Sequence, residues 1–300
     1  MRSTRYGWRT AALALCLVVP SPACAGSSSD VTAPPSGNNP PPEQPPPPAP
    51  PPTTPPAPPP EPSEPPPSPP PGPPIPNPPG LGAGARVLFI GNSLTEGSDL
   101  PGMVRAMAAD AGLGWDVQAQ LLSGAGLEDH WQRGFAQARI QSGHWDAVVL
   151  QQGPSSLADS RANLRQWAGE FDVLVRAAGG RSALYMVWPD LSRFAWFDRV
   201  RDSYALAARD VEGWFLPAGE TWRAAWRAEP SLALYGGDGF HPTVAGTYAA
   251  ALTIFAGLSG RSPLDVPTVP GVDEKTAERL RQATQEALDQ YGDYGPADVP

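Results

Sequence analysis

Three side chains in this sequence have the types and the spacing of an acyl-transfer relay. Ser93 lies in the segment GNSLTEG, Gly91–Gly97, while Asp238 and His241 stand three positions apart in DGFHP, Asp238–Pro242. A serine hydroxyl is a poor nucleophile until a neighbouring base takes its proton. An imidazole serves as that base once a carboxylate fixes its tautomer. Asp238 can accept from the ring Nδ1–H while Nε2 faces Ser93, which is the minimum set for cleaving an ester through a serine acyl intermediate. Such chemistry requires no metal and no organic cofactor. Blander readings exist for each residue alone: a serine in a Gly-Asn-Ser turn suits a helix cap, and a His-Pro pair suits a helix start. All three residues together, none with another evident duty, favour the chemical reading. GNSLTEG carries no lysine of a phosphate-binding loop and is not the GxSxG elbow of α/β-hydrolases.

The elements that must position these residues follow from the apolar pattern. Val87-Leu88-Phe89-Ile90 is a short continuous apolar run, as expected of a buried parallel strand, and Ser93 follows it directly. Further strands are expected over 115–121, 146–151, 182–188 and 213–217. Helices are expected over 101–112, 127–141, 157–178, 194–210, 219–228 and 242–258. Such alternation specifies an α/β fold with a parallel sheet between helical layers. Ligands of open sheets of this kind bind at the carboxyl ends of the strands, where Ser93 sits and to which the loop carrying Asp238 and His241 can return. Gly236, Gly237 and Gly239 allow tight backbone geometry around the acid. A last helical pattern, with Ala277, Leu280, Ala287, Leu288 and Tyr291 on one face, reads as a terminal helix docked on the domain.

Composition bounds the rest. Most of the 42 prolines of this 300-residue chain fall between residues 34 and 79, a stretch that cannot bury a core. Residues 26–85 are therefore expected as a polyproline linker, with the catalytic domain over 86–262 and a helix and tail over 263–300. Residues 1–25 have the pattern of an export signal: Arg2, Arg5 and Arg9 precede the apolar stretch 11–19, too brief to span a bilayer. Ala23-Cys24-Ala25 permits cleavage after Ala25 and a secreted product. Ser21-Pro22-Ala23-Cys24 resembles a bacterial lipoprotein box, in which a lipidated Cys24 would tether the chain to a membrane at the cell surface or in the periplasm. Cys16 and Cys24 are the only cysteines, so the domain has neither a disulfide nor a thiolate site. The formal charge of −9 repels nucleic acid and anionic lipid.

The two motif blocks resemble those of the SGNH, or GDSL, hydrolases. GNSLTEG matches the block that carries the family's nucleophile, with Asn92 where Asp is common, and DGFH at Asp238–His241 matches the terminal DxxH block in full. The resemblance covers about residues 86–260. It implies a flavodoxin-like three-layer α/β/α sandwich, catalytic Ser93, Asp238 and His241, and an oxyanion hole that includes the Ser93 amide. The family's glycine donor after the second strand corresponds to Gly124, with Gly126 in reserve. Its asparagine donor after the third strand has no counterpart in Gln151-Gln152-Gly153-Pro154-Ser155. A glutamine amide could make the same bond, which nominates Gln151 or Gln152, whereas register counting puts Ser155 in the asparagine's place.

Other residues draw attention. Asp129-His130-Trp131 reads as structural or as pocket wall, and His144-Trp145-Asp146 as structural. Trp188-Pro189-Asp190 could line the site, and Trp196, Phe197, Trp222 and Trp226 either pack or stack on sugar rings. The expected activity is that of a monomeric, exported esterase acting on a small ester or an O-acetylated carbohydrate, with no nucleic-acid partner. An O-acetyltransferase using the same triad and a non-catalytic glycan-binding module stay open as alternatives.

Overall fold

The computed structural model describes residues 78–292. The export signal, Cys24 and nearly all of the proline-rich segment lie outside the described residues, as do residues 293–300. Five strands, β1 (Arg86–Gly91), β2 (Asp116–Leu121), β3 (Ala147–Leu150), β4 (Arg181–Tyr185) and β5 (Trp214–Leu216), form one sheet in which every pairing is parallel. Their order is β2-β1-β3-β4-β5. The inner strands are buried on both faces, from Val87 to Ile90 and throughout Ala147–Leu150, which is why they read as unbroken apolar runs.

Nine α-helices complete the described chain: α1 (Ser93–Glu96), α2 (Leu100–Asp110), α3 (Leu127–Arg133), α4 (Phe135–Gln141), α5 (Ala158–Ala177), α6 (Phe197–Asp210), α7 (Ala218–Ala228), α8 (Val244–Ser259) and α9 (Glu274–Tyr291). The α2 and α8 helices pack together on one side of the sheet, and α3, α4, α5 and α6 cover the other. α8 is apolar nearly all round because α7 and α9 cover its outer side. α9 docks through Ala277, Leu280, Ala283, Thr284 and Ala287. The fold is a three-layer α/β/α sandwich of flavodoxin-like strand order.

That order matters for the site. The sheet order reverses at β1, whose neighbours are β2 and β3, so the loops leaving β1 and β3 diverge and open a crevice between them. Ser93 follows β1 and Gln151–Ser155 follow β3, which puts both segments at this crevice.

Several boundaries differ from the sequence pattern. The expected helix over 127–141 is two helices, because Gly134 adopts a left-handed φ of 75° and breaks the run. α6 begins only at Phe197, preceded by a 3₁₀ turn over Leu191–Trp196. β4 stops at Tyr185 because its outer partner β5 is only three residues long. α8 starts at Val244 behind a Thr243 cap, so Pro242 lies ahead of the helix and bridges to Tyr235. The packed chain also begins before Arg86: the Leu81 amide donates to the Leu258 carbonyl, and Ala85 is buried.

Candidate active site

The turn that carries Ser93 is built by Asn92. Its backbone is extended, and its Oδ1 accepts from the Leu94 amide and so caps α1, leaving Ser93 as the first helical residue. Its Nδ2 donates to the Ala125 carbonyl, in the loop after β2, at 2.8 Å. An aspartate could cap the helix equally well but could not donate to that carbonyl.

The loop carrying the other two residues is held from several sides. The Gly236 amide donates to the His241 carbonyl at 2.7 Å, the Leu191 amide to Gly239, and the Trp188 indole to the Phe240 carbonyl at 2.9 Å. Gly239 takes a φ of 69°, which a side chain would strain. Asp238 Oδ1 accepts from the backbone amides of Phe240 and His241, so the carboxylate is oriented before it meets the ring.

These supports bring the three predicted residues into one line. The Ser93 hydroxyl donates to His241 Nε2 at 3.0 Å, and His241 Nδ1–H donates to Asp238 Oδ2 at 2.5 Å. The hydrogen bond from His241, helped by the two backbone amides, lowers the Asp238 pKa to about 2. Asp238 and His241 are each about half exposed, so the line opens directly to solvent. Because Asp238 stays ionised far into acid, it adds no second protonation to the acid limb of any activity carried by this line. A pH–rate profile with unit slope on the acid side is expected, and a slope of two would contradict the arrangement.

The predicted oxyanion residues separate into two groups. The backbone amides of Ser93 and Gly124 have no hydrogen-bond partner among the described residues, and Gly124 has a left-handed φ of 72°. The glutamines behave otherwise. Gln151 is buried, and both hydrogens of its amide are committed, to Asn92 Oδ1 at 3.0 Å and to the Gln152 carbonyl at 2.6 Å. It has no hydrogen left for an oxyanion. Gln152 Nε2 donates to Ser155 Oγ at 2.9 Å, with Asn163 Oδ1 at 3.5 Å, while its Oε1 accepts from the Leu127 amide. Ser155 is also occupied, donating to the Gly153 carbonyl, and it holds a positive φ of 56°. Neither glutamine presents a free donor to the crevice.

The remaining residues fall into place around this line. His130 is buried with Nε2 2.9 Å from the Gly91 carbonyl, and burial lowers its pKa, so the neutral ring fastens α3 to the end of β1. Asp129 accepts from the Gly126 amide, and Asp146 from the Arg86 amide, both structural contacts. Trp188 does not line the site; it is fully buried and stacks on Trp222. Pro189, Asp190 and Trp196 do line a cleft of about 560 Å³, together with Ser155, Arg193 and Phe240. The ring of Phe240 lies edge-on to that of His241, which sets the cleft beside the triad. The sequence pattern missed the 3₁₀ turn that forms one wall of the cleft. Its signal was there, in an Asp190-Leu191-Ser192 start in which Asp190 caps the turn.

No protein-family profile and no curated protein sequence matches the chain. Solved structures do. A DUF4886 family protein from Bacteroides uniformis superposes with a TM-score of 0.61 at 19% identity, covering 72% of this chain and 97% of that one. A protein described as a candidate SGNH hydrolase, from Slackia heliotrinireducens, superposes with a TM-score of 0.50 at 26% identity, covering 57% of this chain and 97% of that one. The fold is that of the SGNH hydrolases. Within an SGNH fold, the crevice between β1 and β3 is where the Ser93, His241 and Asp238 side chains converge.

Proposed function

We propose that the chain is a serine ester hydrolase of the SGNH type, with Ser93 as nucleophile, His241 as general base and acid, and Asp238 as the carboxylate that orients the ring. The observation that carries this reading is the unbroken line from the Ser93 hydroxyl through His241 to Asp238 at the carboxyl edge of the sheet. Ser93 Oγ attacks the ester carbonyl carbon as its proton passes to His241 Nε2. The charge that develops on the carbonyl oxygen is received by the Ser93 and Gly124 amides, each such donor typically worth about 3 kcal/mol of barrier. The bond to the alcohol oxygen breaks, and that oxygen leaves with the proton from Nε2. Water then adds to the acyl carbon, giving a proton to Nε2, and collapse releases the carboxylic acid and restores Ser93.

The cleft supports a small acyl group on a carbohydrate. Serine hydroxyls, the Asp190 carboxylate, the Arg193 guanidinium and the Trp196 indole offer the mixture of hydrogen bonds and aromatic surface that sugar rings use. The half-exposed triad lies open to bulk water, which supports water as the acceptor of the acyl group. The proposal extends to an exported, monomeric protein, lipidated at Cys24 or released after cleavage at Ala25.

The test is labelling of the purified chain with a fluorophosphonate, read by peptide mass. A single adduct on Ser93 that is lost in His241→Ala is expected. A folded wild-type protein that takes no adduct would overturn the reading in favour of a non-catalytic module.

A further inference from the structure

The structure assigns Gln151 as the positioning residue of the nucleophile turn, a side-chain clamp that fastens the end of β3 to the start of α1. This inference rests on the reading of Ser93 as nucleophile and says how that serine is held.

Four hydrogen bonds meet on one amide. Gln151 Oε1 accepts from the Asn92 backbone amide at 2.9 Å and from the Thr95 hydroxyl at 2.7 Å. Nε2 donates to Asn92 Oδ1 at 3.0 Å and to the Gln152 carbonyl at 2.6 Å. Two donors face the oxygen and two acceptors face the nitrogen, so the amide has a single orientation that satisfies all four partners. Asn92 cannot turn over to accommodate a different neighbour, since its Nδ2 is bound to Ala125 and its Oδ1 caps α1. Gln151 thereby grips the residues on both sides of Ser93, Asn92 before it and Thr95 after it.

The surroundings are shaped for this clamp. The register of β1 on β3 pairs Ile90 with Leu150, which brings Gly91 beside Gln151. A Cβ on Gly91 would stand 2.6 Å from Gln151 Oε1 and 2.5 Å from Thr95 Oγ1, so only glycine leaves room for the amide. The far side is anchored too. The Gln152 carbonyl that accepts from Gln151 also accepts from the Tyr204 hydroxyl at 2.6 Å, tying the clamp to α6. Asn92, Thr95, Gln151, Gln152 and Tyr204 are all buried, where each bond is stronger than in water and a mismatch costs more.

A glutamate at this position makes the test. Protonated, it can accept from Asn92 and Thr95 with one oxygen and donate once with the other. Ionised, it sets a second oxygen against the Asn92 and Gln152 acceptors and pushes the turn apart. The titratable groups bonded to this network are His130 from α3, kept neutral by burial, and Tyr204 from α6, kept protonated by burial. Glu96 at the end of α1 is exposed, and His241 faces Ser93 from the opposite loop. Fluorophosphonate labelling of Ser93 is compared for the wild-type and Gln151→Glu chains at pH 6.5 and pH 9, as a ratio at each pH so that pH effects common to both chains cancel. A displacement of about 1 Å in a reacting group costs on the order of 100-fold, so a deficit near that size is expected at pH 9 and one several-fold smaller at pH 6.5. Thr95→Val, which deletes one donor at constant volume, is expected to lower the rate several-fold at both pH values and covers the case in which the glutamate protein does not fold. A Gln151→Glu chain labelled as fast as wild type, or with the same deficit at both pH values, overturns the clamp. A wild-type chain that takes no label overturns the serine reading instead.

Discussion

Asp238→Asn is expected to leave the protein folded and to lower kcat by about 10⁴-fold, with KM little changed. The size of the effect follows from how the carboxylate is held. Oδ1 is fixed by the backbone amides of Phe240 and His241, at 3.0 and 2.9 Å, and those two donors require an oxygen. An asparagine must therefore keep its carbonyl oxygen there and place its NH₂ where Oδ2 now stands, 2.5 Å from His241 Nδ1. That NH₂ can only donate, so Nδ1 becomes the acceptor and the ring proton moves to Nε2. An Nε2–H cannot accept the proton of Ser93. The ring thus stays in position in the wrong tautomer, and the ester is bound but not cut. Steady-state kinetics on an acetylated sugar ester, with a thermal melt as the folding control, measure this. A loss below tenfold would mean that Asp238 serves the turn rather than the imidazole.

How much of this was legible beforehand differs from residue to residue. Ser93, Asp238 and His241 stood out because they occupy short local motifs, and local turns are encoded by neighbouring residues such as Asn92 and Gly239. The parallel sheet was legible because its inner strands are buried on both faces and read as unbroken apolar runs. What stayed hidden was contact across the crevice. Gln151 and Gln152 have the chemistry of oxyanion donors, and only the register of β1 on β3 and the neighbouring acceptors decide that their amides are committed elsewhere. The break at Gly134 was hidden for a related reason. Glycine tolerates a helix as well as a left-handed turn, and the packing of α3 and α4 against α5 selects the turn. The end of the cleft wall, residues 194–196, was absorbed into the helix expected over 194–210, because Phe194 and Trp196 stand three and four positions before the buried Phe197 and Val200 of α6.

Trp222→Ala is expected to destabilise the protein by about 4 kcal/mol and to lower its melting temperature by about 10 °C. Trp222 is fully buried on α7, and its ring stacks on Trp188 with centroids 3.6 Å apart and planes 13° apart. Its indole N–H donates to the Gly246 carbonyl at 3.1 Å, and Trp226 and Tyr235 meet it edge-on. Removing the ring opens a cavity that these rigid neighbours cannot close, and it leaves the Gly246 carbonyl without its indole donor. The damage extends toward the chemistry. Trp188, which loses its stacking partner, is the residue whose indole holds the Phe240 carbonyl, one position before His241. Labelling of Ser93 well below the melting temperature is therefore expected to slow about tenfold, far less than for Asp238→Asn, because the base is loosened and not mistautomerised. Trp222→Phe keeps an aromatic face against Trp188 and loses only the indole N–H and part of the ring, so it should retain most of both quantities. A Trp222→Ala protein destabilised by less than about 1 kcal/mol, with labelling unchanged, would show that the loop bearing His241 is positioned without the tryptophan stack.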